Sequence, residues 1–152
     1  MYKRQDLHHY RDEFRSPAAV NDGWMVTRSV DVAQLDGDPQ LEYVLNDSRL
    51  YSGKVSAFDG IDHDRQWTSA IWDGEYVNIV QAGDLNGDGA PEVLVGTGRE
   101  HTGADGAFVR VLRGTDGGEL WRSLPLPSDW SGVTEISIAD VDGDATLSLI
   151  HI

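Results

Sequence analysis

Three segments of this chain repeat one pattern, and units that recur at a fixed period build their core between copies rather than inside one. They read V-D-V-A-Q-L-D-G-D-P-Q-L-E-Y-V-L from Val30, V-Q-A-G-D-L-N-G-D-G-A-P-E-V-L-V from Val80 and I-S-I-A-D-V-D-G-D-A-T-L-S-L-I-H from Ile136. With Gln34, Asp84 and Asp140 taken as equivalent, the copies are 50 and then 56 positions apart. The likeness continues beyond these segments. V-S-A-F-D-G-I-D from Val55 matches V-R-V-L-R-G-T-D from Val109, Trp67 matches Trp121, and Trp24 matches Trp130. The extra residues of the second copy fall in the Gly-rich stretch from Thr97 to Gly106, which is expected to be an exposed loop.

Inside each unit the apolar positions alternate, as in Val30 and Val32, Val80 and Ala82, or Ile136 and Ile138, and turn residues interrupt the chain every few positions. This spacing predicts four short strands per unit. In the second copy they are expected near Val77 to Ala82, Glu92 to Thr97, Ala107 to Leu112 and Glu119 to Leu124. Helical spacing is visible only at Leu7 to Phe14. Four antiparallel strands repeated at this period describe a blade of a β-propeller, so the chain is expected to be all-β: a partial propeller of about two complete blades and the start of a third. The expected organisation is an N-terminal arm or incomplete preceding segment over 1–23, a first blade over 24–72, a second over 73–127 and an incomplete third over 128–152. Propellers close with 4 to 8 blades, so this chain is expected to be part of a larger array.

The segment joining the first two strands of each unit is rich in oxygen donors. In D-L-N-G-D-G-A-P-E, Asp84, Asn86 and Asp88 stand at alternate positions, Ala90 offers a carbonyl, and Glu92 is the ninth residue. Calcium takes six to eight hard oxygens in flexible geometry, and this spacing can wrap one, whereas magnesium demands a stricter octahedron and retains its waters. An EF-hand begins in the same way but needs a bidentate Glu at position 12 and helical flanks; Val95 stands there, between strands. The first copy offers Asp36, Asp38 and Glu42, with Gln34 in place of the first acid and Pro39 in place of Gly89. The third offers Asp140, Asp142 and Asp144, with Ala145 at the glycine and Ser148 at the distal acid. The competing reading is that Asp, Asn and Gly simply form turns that cap their own backbone.

With these residues in view, the chain resembles the FG-GAP and VCBS-type repeat family, whose members include integrin-α-like and bacterial surface propellers. A-G-D-L-N-G-D-G-A-P-E-V-L-V-G, from Ala82 to Gly96, carries the resemblance, which covers Trp24 to about Thr146. It implies calcium at Asp84, Asn86, Asp88, Ala90 and Glu92, stiffening the blade rather than performing chemistry. A secondary likeness, in G-K-V-S-A-F-D-G with Trp67 and in V-L-R-G-T-D-G-G-E-L-W with Trp121, is to quinoprotein-type propeller repeats. Both Trp are read as packing between blades rather than stacking on a ligand. The last residues, Leu147 to Ile152, depart from the family pattern and coincide with a translated transposon adapter end used in DNA sequencing. They are expected to be non-native.

A formal charge of -14 sets the chain against phosphate backbones and anionic membranes, which removes nucleic acids and membrane insertion from the candidate partners and favours cations. Cysteine is absent, so disulfides, zinc thiolate centres and cysteine nucleophiles are excluded by inventory. Met1 to Arg15 has no apolar signal-peptide core. The five His stand in the N-terminal arm, in expected turns and in the tail, without a catalytic constellation around them. G-T-G-R-E-H-T-G follows a strand but lacks the helix of a phosphate-binding loop. The expectation is a non-catalytic, calcium-binding blade module, extracellular, on the cell surface or periplasmic, where millimolar calcium suits such sites. Its partners would be a protein or glycan ligand and further blades of the same protein. The alternative is a fragment of a propeller enzyme, polysaccharide-lyase-like or quinoprotein-like, with its catalytic residues elsewhere.

Overall fold

The computed structural model describes residues 28–48, 52–99, 105–127, 132–140, 143 and 148–151 of the 152, the last four by their backbone alone. All of its regular elements are strands. β1 (Val30–Ala33), β2 (Glu42–Asn46), β4 (Val55–Phe58) and β5 (Arg65–Thr68) form one antiparallel sheet in the order β1-β2-β4-β5. β7 (Glu75–Gly83), β8 (Glu92–Arg99), β9 (Val109–Arg113) and β10 (Glu119–Arg122) form a second in the same sequential order. Between them, β3 (Ser52–Gly53) and β6 (Trp72–Asp73) pair as a short ribbon. β11 (Ile136–Ala139) and β12 (Ser148–His151) open a third unit. The chain is thus a partial, unclosed array of propeller-like blades, as its repeats predict.

The register repeats with the sequence. Ala33 faces Glu42, Gly83 faces Glu92 and Ala139 faces Ser148, so each donor-rich loop hangs from the same rung of its blade. β12 therefore takes the second-strand position with a backbone register like that of the other two copies. The arm over 1–23, the helical spacing of Leu7 to Phe14, Trp24, Trp130 and Leu147 lie outside the described residues.

All four strands of the second blade end one or two residues from expectation, β8 running on to Arg99 and β10 stopping at Arg122, and two of them also start elsewhere. β7 starts two residues early and carries a bulge between Val77 and Ile79. β9 starts at Val109 because Ala107 forms an isolated bridge with Leu126. Thr97 meanwhile holds Phe108 with both its amide and its hydroxyl, so side-chain bonding replaces the first ladder rungs.

β8 is buried along nearly its whole length, because its two faces pack against two neighbours. Val93 and Val95 join Val77, Val80 and Leu112 against Leu35, Val44, Val55, Ala57, Trp67 and Trp72 of the first blade. Leu94, on the opposite face, packs with Val109, Val133 and Ile136 beneath the third unit. Each such fully buried aliphatic side chain contributes on the order of 1.5–3 kcal/mol. The inner strands are joined directly. The Ser29 hydroxyl accepts from the Val80 amide and donates to its carbonyl, and Asp31 accepts from the Ala82 amide at 2.8 Å.

The outer strands are joined by Trp67. Its ring is buried and Nε1 donates to the Gly114 carbonyl at 2.7 Å. Gly117, at φ 71°, lies so close that a Cβ there would stand 2.4 Å from the indole. The inter-blade role read from sequence holds for Trp67. Trp121, its equivalent, is 51% exposed on the outer strand β10. Among the described residues, the unit that would cover it has only its first two strands.

Candidate metal-binding loops

The second loop closes on its own carboxylates. Asp84 Oδ1 accepts from the amides of Gly87 at 2.8 Å and Asp88 at 3.2 Å, while Oδ2 accepts from Gly89 at 2.8 Å. Asn86 Oδ1 takes the Asp88 amide and Asp88 Oδ1 takes the Ala90 amide. Gly87 and Gly89 sit at φ 76° and 87°, a left-handed conformation that side chains disfavour. Glu92, buried at the start of β8, reaches back to accept from the Leu85 amide and from Asn86 Nδ2. Asn86 and Glu92 thus touch directly, while Asp84 and Asp88 are bound to amides of the same nine-residue loop. A shallow cavity of about 290 Å³ borders it, between Asn86, Asp88 and Glu92 on one side and Arg113 and Leu120 on the other.

The first loop has the same outline with different internal bonds. Gln34 Oε1 accepts from the Asp36 and Gly37 amides, and Gln34 Nε2 donates to the carbonyls of Asp38 and Gln40. Asp36 accepts from the Gln66 side chain of β5 at 2.7 Å. Glu42 is fully buried. One oxygen takes the Leu35 amide and the other has no hydrogen-bond partner. Among the described residues, Asp36, Asp38 and Glu42 form the triad of acids in which one carboxylate oxygen from each lies within 4.8 Å of the other two. Sequence reading places the fullest donor set in the second copy, yet the closest gathering of charge is in the first. Asn86 replaces one acid of that triad in the second loop, and Asp84, from the first position, faces three amides.

In the third copy, Asp140 Oδ1 accepts from the Gly143 amide at 2.7 Å; Asp142 and Asp144 lie outside the described residues. This bond matches Gln34 to Gly37 and Asp84 to Gly87. Gly37, Gly87 and Gly143 all have positive φ, at 90°, 76° and 78°. A Cβ at any of them would meet nothing within 4 Å, so the requirement is conformational rather than steric. Gly89 has Pro39 and Ala145 as its equivalents in the other copies. The glycine common to all three copies is two positions earlier, which explains how the first loop keeps its shape with Pro39.

Two polar clusters went unnoticed in the sequence. Arg110 is buried between Glu75 at 2.6 Å and Glu119 at 2.5 Å, with its guanidinium 4.6 Å from the Trp72 ring centre and 5.1 Å from that of Phe108. In the first blade, Ser56 stands at the matching position and bonds Asp47 and Thr68, and Asp47 in turn pairs with Lys54. A repeated serine was also legible but passed over. Ser69 and Ser123 accept from the Val55 and Val109 amides and donate to the next residue's carbonyl, closing the outer hairpin of each blade alike.

Four-stranded antiparallel sheets, packed in series through alternate faces and each opened by an Asp-rich loop, define a blade-repeat protein of the propeller class. Residues 84–150 match the FG-GAP-like repeat family, so the resemblance drawn from the second loop is borne out from its first donor residue into the third unit. No curated protein and no solved structure gives a significant match.

Proposed function

We propose that this chain is a non-catalytic, calcium-binding blade module, with the principal ion held by Asp84, Asn86, Asp88, the Ala90 carbonyl and Glu92. The observation carrying this reading is that Glu92 reaches back from β8 to the start of a loop whose donors alternate around two left-handed glycines. An ion there would offset most of the charge of Asp84, Asp88 and Glu92 and tie the β7–β8 connection to the strand that follows. Asp36, Asp38 and Glu42 make a second site with a smaller donor set, and Asp140, Asp142 and Asp144 a third. The unpartnered oxygen of buried Glu42 supports the second.

Weak extracellular calcium modules operate at about 10⁻⁴–10⁻³ M, which suits a secreted, surface or periplasmic protein whose loops face a protein or glycan ligand. The exposed indole of Trp121, equivalent to the buried Trp67, supports packing against a further blade. The deciding measurement is calcium titration of the full chain by calorimetry, repeated with Asp84→Ala and Asp88→Ala. Wild-type binding that both variants weaken supports the reading. Absence of calcium binding by the folded wild-type chain overturns it.

A further inference from the structure

We infer that Gln34 is an internal stand-in for the cation's bond to the loop carbonyls, so that the first loop holds its carbonyls without an ion, while in the second, where Asp84 gathers amides only, the carbonyl side is left to the ion. The dependence of the second loop rests on the calcium reading above; the clamp in the first does not.

Two differences between the loops compensate one another. In the second loop, Asp84 Oδ2 takes the amide of Gly89. In the first, Pro39 stands at that position and has no amide to offer, and the matching side-chain atom is not an acceptor but the donor Nε2 of Gln34. That nitrogen donates to the carbonyls of Asp38 and Gln40, and Gln40 is the counterpart of Ala90, whose carbonyl is the seventh-position ligand. The other end of the same amide, Oε1, still gathers the Asp36 and Gly37 amides, as Asp84 Oδ1 gathers those of Gly87 and Asp88. One neutral side chain thereby binds amides and carbonyls on both sides of the turn. Pro39 further restricts the open chain, lowering the entropy lost on closure. A cation held by Asp36, Asp38 and Glu42 would meet a loop already closed, so its binding would add charge compensation without ordering the backbone.

The test is amide hydrogen exchange on the full chain, resolved by peptide, in calcium chloride and in chelator. Chelation should speed exchange in the 84–92 loop by about tenfold or more and leave 34–42 unchanged. Gln34→Glu keeps the length and one acceptor oxygen but turns the donor into a second acceptor facing two carbonyls. It should speed exchange in 34–42 by about tenfold in chelator, with calcium restoring protection. Gln34→Ala, which adds no charge, should loosen the same loop and carries the test if the Glu variant does not fold. A wild-type first loop that responds to chelator as strongly as the second overturns the inference. So does a first loop equally protected in wild type and in the folded Gln34 variants. If calcium moves neither loop, the calcium reading of the second loop fails, and the clamp is judged on the Gln34 variants in chelator alone.

Discussion

Trp67 Nε1 donates to the carbonyl oxygen of Gly114 across the joint between the first two sheets, at 2.7 Å, and is the only polar atom of a ring otherwise packed in apolar surroundings. Trp121, one repeat later, has the same flanking strand pattern and half its surface in solvent. Trp67→Ala should therefore destabilise the chain by about 3–5 kcal/mol, by cavity formation and loss of the joint. Trp121→Ala should stay within about 0.5 kcal/mol. Urea unfolding followed by circular dichroism measures both, and equal effects would refute the assignment of Trp67 to the joint.

Glycines at positive φ separate strain from contact. Gly87→Ala meets open space and should cost about 1–2 kcal/mol for backbone conformation alone. Gly117→Ala adds a methyl against the Trp67 ring and should exceed it by at least about 1 kcal/mol. In Trp67→Ala the second penalty should shrink to the size of the first, which a double-mutant cycle reads directly.

Arg110 neutralises the buried carboxylate of Glu75. Arg110→Met should destabilise by about 3–5 kcal/mol, because Glu75 is left buried and uncompensated. Replacing both partners, Arg110→Met with Glu75→Leu, should recover much of that loss in the same denaturation experiment. A double variant no better than the single would show that the pair itself, rather than the orphaned charge, sets the penalty.

The Tyr43 phenol is pushed up to about 12, first by burial and then by the nearby Asp59 carboxylate. The folded chain therefore holds this proton more tightly than the unfolded chain, where the group titrates near 10.0. Its contribution is fully present below pH 10.0 and is lost as pH rises toward 12. Relative to Tyr43→Phe, the wild type should lose stability across that window. A constant difference between the two proteins would refute the shift.

Calcium at one hundred times its dissociation constant should stabilise the folded chain by about 2.7 kcal/mol if one site operates and the unfolded chain does not bind. Asp88→Ala should abolish most of this increment. Thermal unfolding in calcium and in chelator provides the comparison.

The strands were legible because the alternation of Val80 and Ala82, or Val93 and Val95, is the period of a pleated surface, and two sequence copies confirm one another. The loops were legible for the same reason, and the glycine at positive φ in all three copies is the one aligned with Gly87 rather than with Gly89. Gln34 read as a lost ligand, since nothing in a side chain's identity tells whether its amide will face a carbonyl six residues later or water. Arg110 gave no signal at all. Ser56 holds its place in the first repeat, so the repeat did not mark it, and Glu75 lies 35 residues away in sequence. Repetition exposes what the copies share and hides what one copy alone has acquired.

The stitching of Ser29 to Val80 and Asp31 to Ala82 joins side chains of one blade to the main chain of the next. Because a main-chain rung returns only every second residue, the sheets cannot slide past one another by a single position without breaking all of these bonds. With Trp67 holding the outer margin, the seam between the two sheets is fastened on both sides. The curvature of any longer array built on this joint would then be set at the seam between sheets rather than in the loops.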